Sequence, residues 1–246
     1  MIGMNIDSLV KKQIAIINIG SSTDRGIPGP IFADGRFVFV PIRESRPGKN
    51  TPTYEELGLR KWVTNPKEYA HYDPEFETMT YGDYAYKTRV ANARKLKHGD
   101  FLFFFASLSN QTEKKIRRPT GFFFIGFFEI DRILPPEIAV SSPLYRKNAH
   151  VIRKGDSGFS IWKGTRRSAL LEKAVLMDRR SVDSILRTSK GEILPWGTKD
   201  KNGRVRTDLE VINSATRTSR IILPNHRRAL WKMIKESNPN LTIFDT

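Results

Sequence analysis

Two apolar runs dominate the chain. Residues 101–106 (FLFFFA) and 121–130 (GFFFIGFFEI) carry Phe at consecutive positions, so both faces of each are apolar. That is the pattern of central strands buried on two sides. Gly99-Asp100 opens the first run, and Gly126 inside the second marks a bulge or a tight barrel bend. The basic stretch Lys114, Lys115, Arg117 and Arg118 between them reads as the loop of a pairing hairpin.

The remaining pattern is shorter in period. Residues 13–19 form an apolar strand candidate that ends in the turn-rich loop 20–26. Pro28, Gly29 and Pro30 keep the next stretch extended, and Asp34-Gly35 signals a hairpin before a strand over 37–42. Thr53 and Glu56 have the capping-box spacing of one or two helical turns over 53–59. Residues 83–96 read as a helix with Asp83 as N-cap and Lys/Arg in the last turn. Strand candidates follow at 149–152 and 159–162, around a Gly-Asp-Ser-Gly turn, then a strand or edge segment at 170–176 and a helical stretch at 182–186. The clearest helix spans 225–236, with Asn225 as cap, Ala229, Leu230, Met233 and Ile234 as its apolar stripe, and Pro239 beyond it. Short strands with few helices predict an α+β fold built on an antiparallel, partly closed sheet. Neither repeat nor linker divides the 246 residues, so a single domain is expected, with its core about residues 70–190 behind an N-terminal extension.

Composition adds a direction. At 39% hydrophobic and 11% aromatic the chain can bury a core. The absence of cysteine excludes disulfides, a thiol nucleophile, a thiolate zinc site and an iron–sulfur cluster. The apolar runs are too short for a membrane span or a secretory signal, so a cytoplasmic protein without a membrane partner is expected. The net charge of +16 favours a polyanionic partner, DNA first. It is uneven: residues 44–83 hold eight acids and five bases, net −3, which leaves +19 for the rest. Residues 163–190 and 199–228 each contribute +5.

Several clusters could carry chemistry. In an extended segment His71, Asp73 and Glu75 would alternate onto one side, where they could hold a hard divalent ion or act as general acid and base. Tyr81, Tyr84 and Tyr86 stand with Asp83, Arg89 and Asn92, a set suited to stacking a base and reading its edge, with Arg89 taking a phosphate. Trp162 and Trp196 are candidates to line a pocket. Lys163, Arg166 and Arg167, together with Lys114 and Lys115, are candidate phosphate contacts. The loop 20–26 offers backbone N–H groups and hydroxyls but lacks the lysine and spacing of a P-loop. No nucleophile elbow, H-E-x-x-H or zinc-deaminase signature is present. No cofactor is required by these motifs, although a divalent metal is possible at the His71 cluster.

Two resemblances bear on these readings. The stretches Gly26-Ile-Pro-Gly-Pro-Ile-Phe-Ala-Asp-Gly35, Val40-Pro41-Ile42, Thr53-Tyr54-Glu-Glu-Leu-Gly58, His71-Tyr-Asp-Pro-Glu75, Gly99-Asp-Phe-Leu-Phe-Phe-Phe105 and residues 121–130 resemble the third nucleotide-modification-associated domain family, in the family's order. The resemblance implies a setting of DNA base modification, with partner enzymes of such a system. The order Tyr81, then Arg89 and Asn92, then Gly99-Asp100 and the apolar runs resembles the PUA-like barrels of the EVE and YTH modified-base readers. Those readers usually carry Trp where this chain has Tyr81. Together these imply a nucleic-acid or modified-base binding protein. The alternatives are an enzyme of base or nucleotide modification using His71, Asp73 and Glu75, or a nuclease that cuts modified DNA.

Overall fold

The computed structural model describes residues 4–19, 28–110, 120–153, 157–188 and 190–244. The loop 20–26 and the candidates Lys114 and Lys115 lie outside the described residues. In chain order the elements are α1 (Ile6–Leu9), β1 (Ile14–Asn18), β2 (Gly29–Ile31), β3 (Thr80–Tyr84), β4 (Phe101–Asn110), β5 (Gly121–Leu134) and α2 (Pro136–Ser141). They continue with α3 (Ala149–Ile152), β6 (Phe159–Gly164), β7 (Ala169–Leu176), α4 (Arg179–Ile185), α5 (Asp208–Ala215), β8 (Arg220–Ile221) and α6 (Pro224–Ser237).

The two Phe-rich runs are the centre of an eight-stranded sheet, paired antiparallel as β4 and β5. Their register shifts once: Phe104 faces Gly126 and Phe105 faces Phe124, so Ile125 is an extra residue. Gly126 is needed at this bulge because a Cβ there would stand 2.7 Å from both the Phe76 ring and the Ala169 carbonyl oxygen. β5 continues past this point to Leu134. It carries β7 on its first half and β6 on its last, and β6 holds β3 at the sheet edge. On the other side, β1 and β2 both run parallel to β4, and β8 pairs antiparallel with β1.

The sheet is therefore mixed and open, which corrects the antiparallel, partly closed expectation. Its two faces explain the double apolar pattern. Phe101, Phe103, Phe124 and Phe127 pack under α6 around Trp231, with Val182 and Ile185 of α4 beside them. Leu102, Phe104, Ile125 and Phe128 pack on the opposite face against Phe76, Tyr81, Val90 and Trp162. The second face supports the candidate site residues. Among the described residues no helix is long and apolar enough to cross a membrane.

Five local expectations are corrected. Residues 83–96 are not one helix: Asp83 belongs to β3, and the rest forms two 3-10 turns, Thr88–Val90 and Ala93–Lys95. Ser219 is the cause. Its N–H donates to the Arg89 carbonyl at 2.6 Å and its hydroxyl accepts the Asn92 and Ala93 N–H groups, which removes the Arg89–Ala93 bond a helix needs. Residues 149–152 are the helix α3 rather than a strand, because the Asn148 side chain accepts the His150 N–H at 3.0 Å and caps it. Residues 37–42 make only an isolated bridge at Phe37, and the Thr53–Glu56 capping box closes turns rather than a helix. At α6 the cap position is Leu223 with Pro224 at the first turn, so Asn225 lies inside the helix.

Candidate functional site

The site is built where β3, α3 and the 71–75 segment meet. Along β3, Gly82 and Tyr84 face α3, and His150 lies against both. The Tyr84 and His150 rings are 5.3 Å apart, edge to face. Asn148 secures this packing twice. It caps α3, and its Nδ2 donates to Asp73 Oδ1 at 2.8 Å. The same Asp73 oxygen accepts the Gly82 N–H at 2.9 Å. Asp73 is thus buried between a strand edge and a helix N-terminus.

His71 comes from the other side. Its ring meets the His150 ring at 5.0 Å, and its Nδ1 lies 2.7 Å from Glu44 Oε2. Glu44 is 4% exposed and also receives Arg153, at 2.9 Å from Nη2 and 3.1 Å from Nε. Burial pushes the Glu44 carboxyl up, but hydrogen bonds from His71 and Arg153 outweigh it and bring it down to about 2. Arg153 Nη2 also stands 3.0 Å from His71 Nδ1; an ionised carboxylate only accepts, and its shorter contact assigns the proton to Nδ1 and the lone pair to Nε2. Burial holds His71 below its usual range, against the pull of Glu44. Burial raises Asp73 well above the carboxylate range.

Tyr81 is fully packed, its hydroxyl donating to Asp83 Oδ2 at 2.9 Å. Burial, then the charge of Asp83, raises its phenol well above the usual value. Arg89 Nε stands 3.3 Å from Asp83 and donates through Nη2 to the Asn18 carbonyl. These groups surround one polar cavity of about 150 Å³, lined by His71, Asp73, Asp83, Tyr84, Arg89 and His150, with Lys87 and Arg153 also on its wall. The Lys87 ammonium lies 4.3 Å from the centre of the Tyr84 ring. The Tyr84 hydroxyl accepts from Arg46 at 2.6 Å and from Arg153 at 3.3 Å.

The structure therefore brings together His71, Asp73, Tyr81, Asp83, Tyr84 and Arg89. It separates Glu75 from them. The Asp73 N–H bonds back to the His71 carbonyl at 2.8 Å, a tight turn that ends the alternation of side chains. Glu75 is buried elsewhere, accepting the N–H groups of Glu77 and Thr78. Tyr86 is 70% exposed beside Tyr84, with ring centroids 5.5 Å apart. Asn92 is bound to Ser219. Trp162 is core, its ring tilted against Tyr81 with centroids 5.7 Å apart and its Nε1–H donating to the Ala93 carbonyl. Trp196 sits in the opposite cluster and donates to Asp183. Lys163 donates to the carbonyls of Thr78 and Gly164, Arg167 pairs with buried Glu129 at 2.8 Å, and Arg166 is exposed.

Three site residues escape a reading of the sequence: Glu44, His150 and Arg153. For two of them a signal existed. Asn148 is a good N-cap, and His150 and Arg153 follow at a spacing of three, one side of a helical turn. Nothing local marks Glu44. The profile of the family described as nucleotide modification associated domain 3 matches residues 13–220, a span that contains every residue of this site. No curated protein and no solved structure matches the chain.

Proposed function

The chain belongs to the nucleotide modification associated domain 3 family, and from that premise we propose that it is a binding protein that holds a nucleobase or nucleotide in the cavity between β3 and α3. The carrying observation is the convergence of Tyr84, His71, Asp73, His150 and Arg89 on one small polar cavity. Its volume of about 150 Å³ lies below the roughly 300–1,000 Å³ of drug-sized sites, which suits one ring system better than a dinucleotide. In this reading a base lies on Tyr84 in the place of the exposed Lys87 side chain. Lys87 and Arg89 then face the phosphate, and the polar floor meets the edge of the base. The net charge of +16 supports DNA as the source of that base. The PUA-like reading belongs to the same proposal: the order Tyr81, Arg89, Gly99-Asp100, β4, β5 supports it, with β1 and β2 joined to the sheet in parallel.

The test is fluorescence anisotropy of single-stranded oligonucleotides carrying plain and modified bases. Base stacking contributes about 1–3 kcal/mol, so Tyr84→Ala should weaken binding about 5–150-fold, while Tyr84→Phe keeps most of it. Binding untouched by Tyr84→Ala, in a variant whose circular dichroism melt is normal, would refute the assignment of the cavity.

A further inference from the structure

The floor of the cavity holds more than a base-reading edge requires. His71, Asp73 and His150 are all buried, and each has a ligand atom within 4.8 Å of the other two. They come from two separate parts of the chain, so sequence proximity does not account for the cluster. We propose that these three residues bind one divalent transition-metal ion, which would face the nucleotide site from below.

The surroundings have the form that such a site needs. Ligating imidazoles are normally held by a carboxylate on the opposite ring nitrogen, which fixes the tautomer and the ring. His71 has that arrangement: Nδ1 lies 2.7 Å from Glu44 Oε2 and 3.0 Å from Arg153 Nη2, and the shorter contact to the carboxylate assigns the proton to Nδ1 and leaves Nε2 for the ion. Glu44 is in turn held by Arg153, which keeps this carboxylate in place behind His71. Asp73 is oriented in the same way, since both of its donors, Gly82 N–H and Asn148 Nδ2, land on Oδ1. The two imidazoles select a transition ion over magnesium or calcium, which prefer oxygen. Donors on one tetrahedral ion stand about 3.4 Å apart for bonds of about 2.1 Å, and the ligand atoms here already lie within 4.8 Å of one another. Three protein ligands leave a coordination position open toward the cavity, the pattern of catalytic rather than structural sites. Glu75, the third member expected from the sequence, is replaced by His150.

The experiment uses the full chain, stripped with a chelator and titrated with Co²⁺ and Zn²⁺ without nucleotide. A failure here is therefore distinct from a failure of base binding. One equivalent of ion per chain is expected, with Co²⁺ d–d bands, and both should vanish in His71→Gln and in His150→Gln. Glu44→Gln should weaken the ion about 10–100-fold. His98→Ala and His226→Ala, at the two histidines outside the cavity, should change nothing. No stoichiometric uptake by the wild type, or uptake that survives both Gln variants, overturns the proposal. Should either variant melt early, pulsed electron spin resonance of the Cu²⁺-loaded wild type counts coordinated imidazoles. Two support the site, and fewer overturn it.

Discussion

At the scale of single residues, the position that decides the site is one without a side chain. A Cβ on Gly82 would stand 2.6 Å from His150 Cδ2 and 2.9 Å from Asn148 Oδ1. Both neighbours are buried and tied, Asn148 by its cap and by Asp73, so neither can yield cheaply. Gly82→Ala should therefore cost about 1–3 kcal/mol in a urea melt. It should also weaken nucleotide binding more than an equally destabilising change under α6, because the displaced ring is a wall of the cavity. Equal binding in both variants would mean that His150 is not part of the site. This residue also shows what the sequence could reveal. Tyr84, Asp83, Asp73 and His71 were legible because they cluster within 14 positions and have chemistry in common. His150 lies far along the chain, and its approach to Asp73 depends on one capped turn and one bare glycine. Periodicity carries no trace of such a contact. Glu75 misled because a turn at Tyr72 ends the alternation that an extended segment would keep.

At the scale of elements, legibility followed the source of each element's stability. β4 and β5 are specified by their own apolar side chains, and both were readable. The 83–96 stretch has helical composition but gives its backbone groups to Ser219, more than 120 residues away, so tertiary hydrogen bonds override propensity. α4 is an intermediate case. It has seven residues, too few to stand alone, and is held by packing against α6 and by Asp178, whose Oδ1 accepts the Ser181 N–H at 2.7 Å. Asp178→Ala should cost about 0.5–2 kcal/mol and leave nucleotide binding unchanged, since α4 lies on the face opposite the cavity. The Ser181 hydrogen bond lowers the Asp178 pKa from its ordinary 3.8. The cap's contribution is then full above that value and is lost as pH falls through the lowered pKa. The stability difference between wild type and variant should therefore shrink between pH 7 and strongly acidic buffer. A difference that stays constant with pH would show that Asp178 does not act through its charge.

At the scale of the molecule, the +16 charge and the acidic stretch fit together once burial is known. Of the eight acids in residues 44–83, Glu44, Asp73, Glu75 and Asp83 are inside. The surface of that stretch is thus less negative than its sum. On the basic side, Lys163 and Arg167 are engaged with internal carbonyls and with Glu129. Lys87, Arg89, Arg94, Lys95 and Lys97 follow one another with no acid between them; Arg89, Arg94 and Lys95 also bond to Asn18, Ala85 and Asn92, but all five are exposed and the first two line the cavity. If a nucleic acid delivers its base here, this segment carries the phosphate contacts. Each phosphate contact on a single strand adds about 0.7 to the slope of log affinity against log salt. Lys87→Ala and Lys95→Ala should each flatten the slope by about that amount. Tyr84→Ala should lower affinity at every salt concentration without changing the slope, because stacking releases no counterions. Lys163→Ala should leave the slope alone as well. The two effects would separate attraction from recognition, with the slope reading the 87–97 segment and the salt-independent loss reading the cavity. A slope that is indifferent to Lys87 and Lys95 but falls with Arg166→Ala would move the nucleic-acid track to the β6–β7 turn and detach it from this cavity.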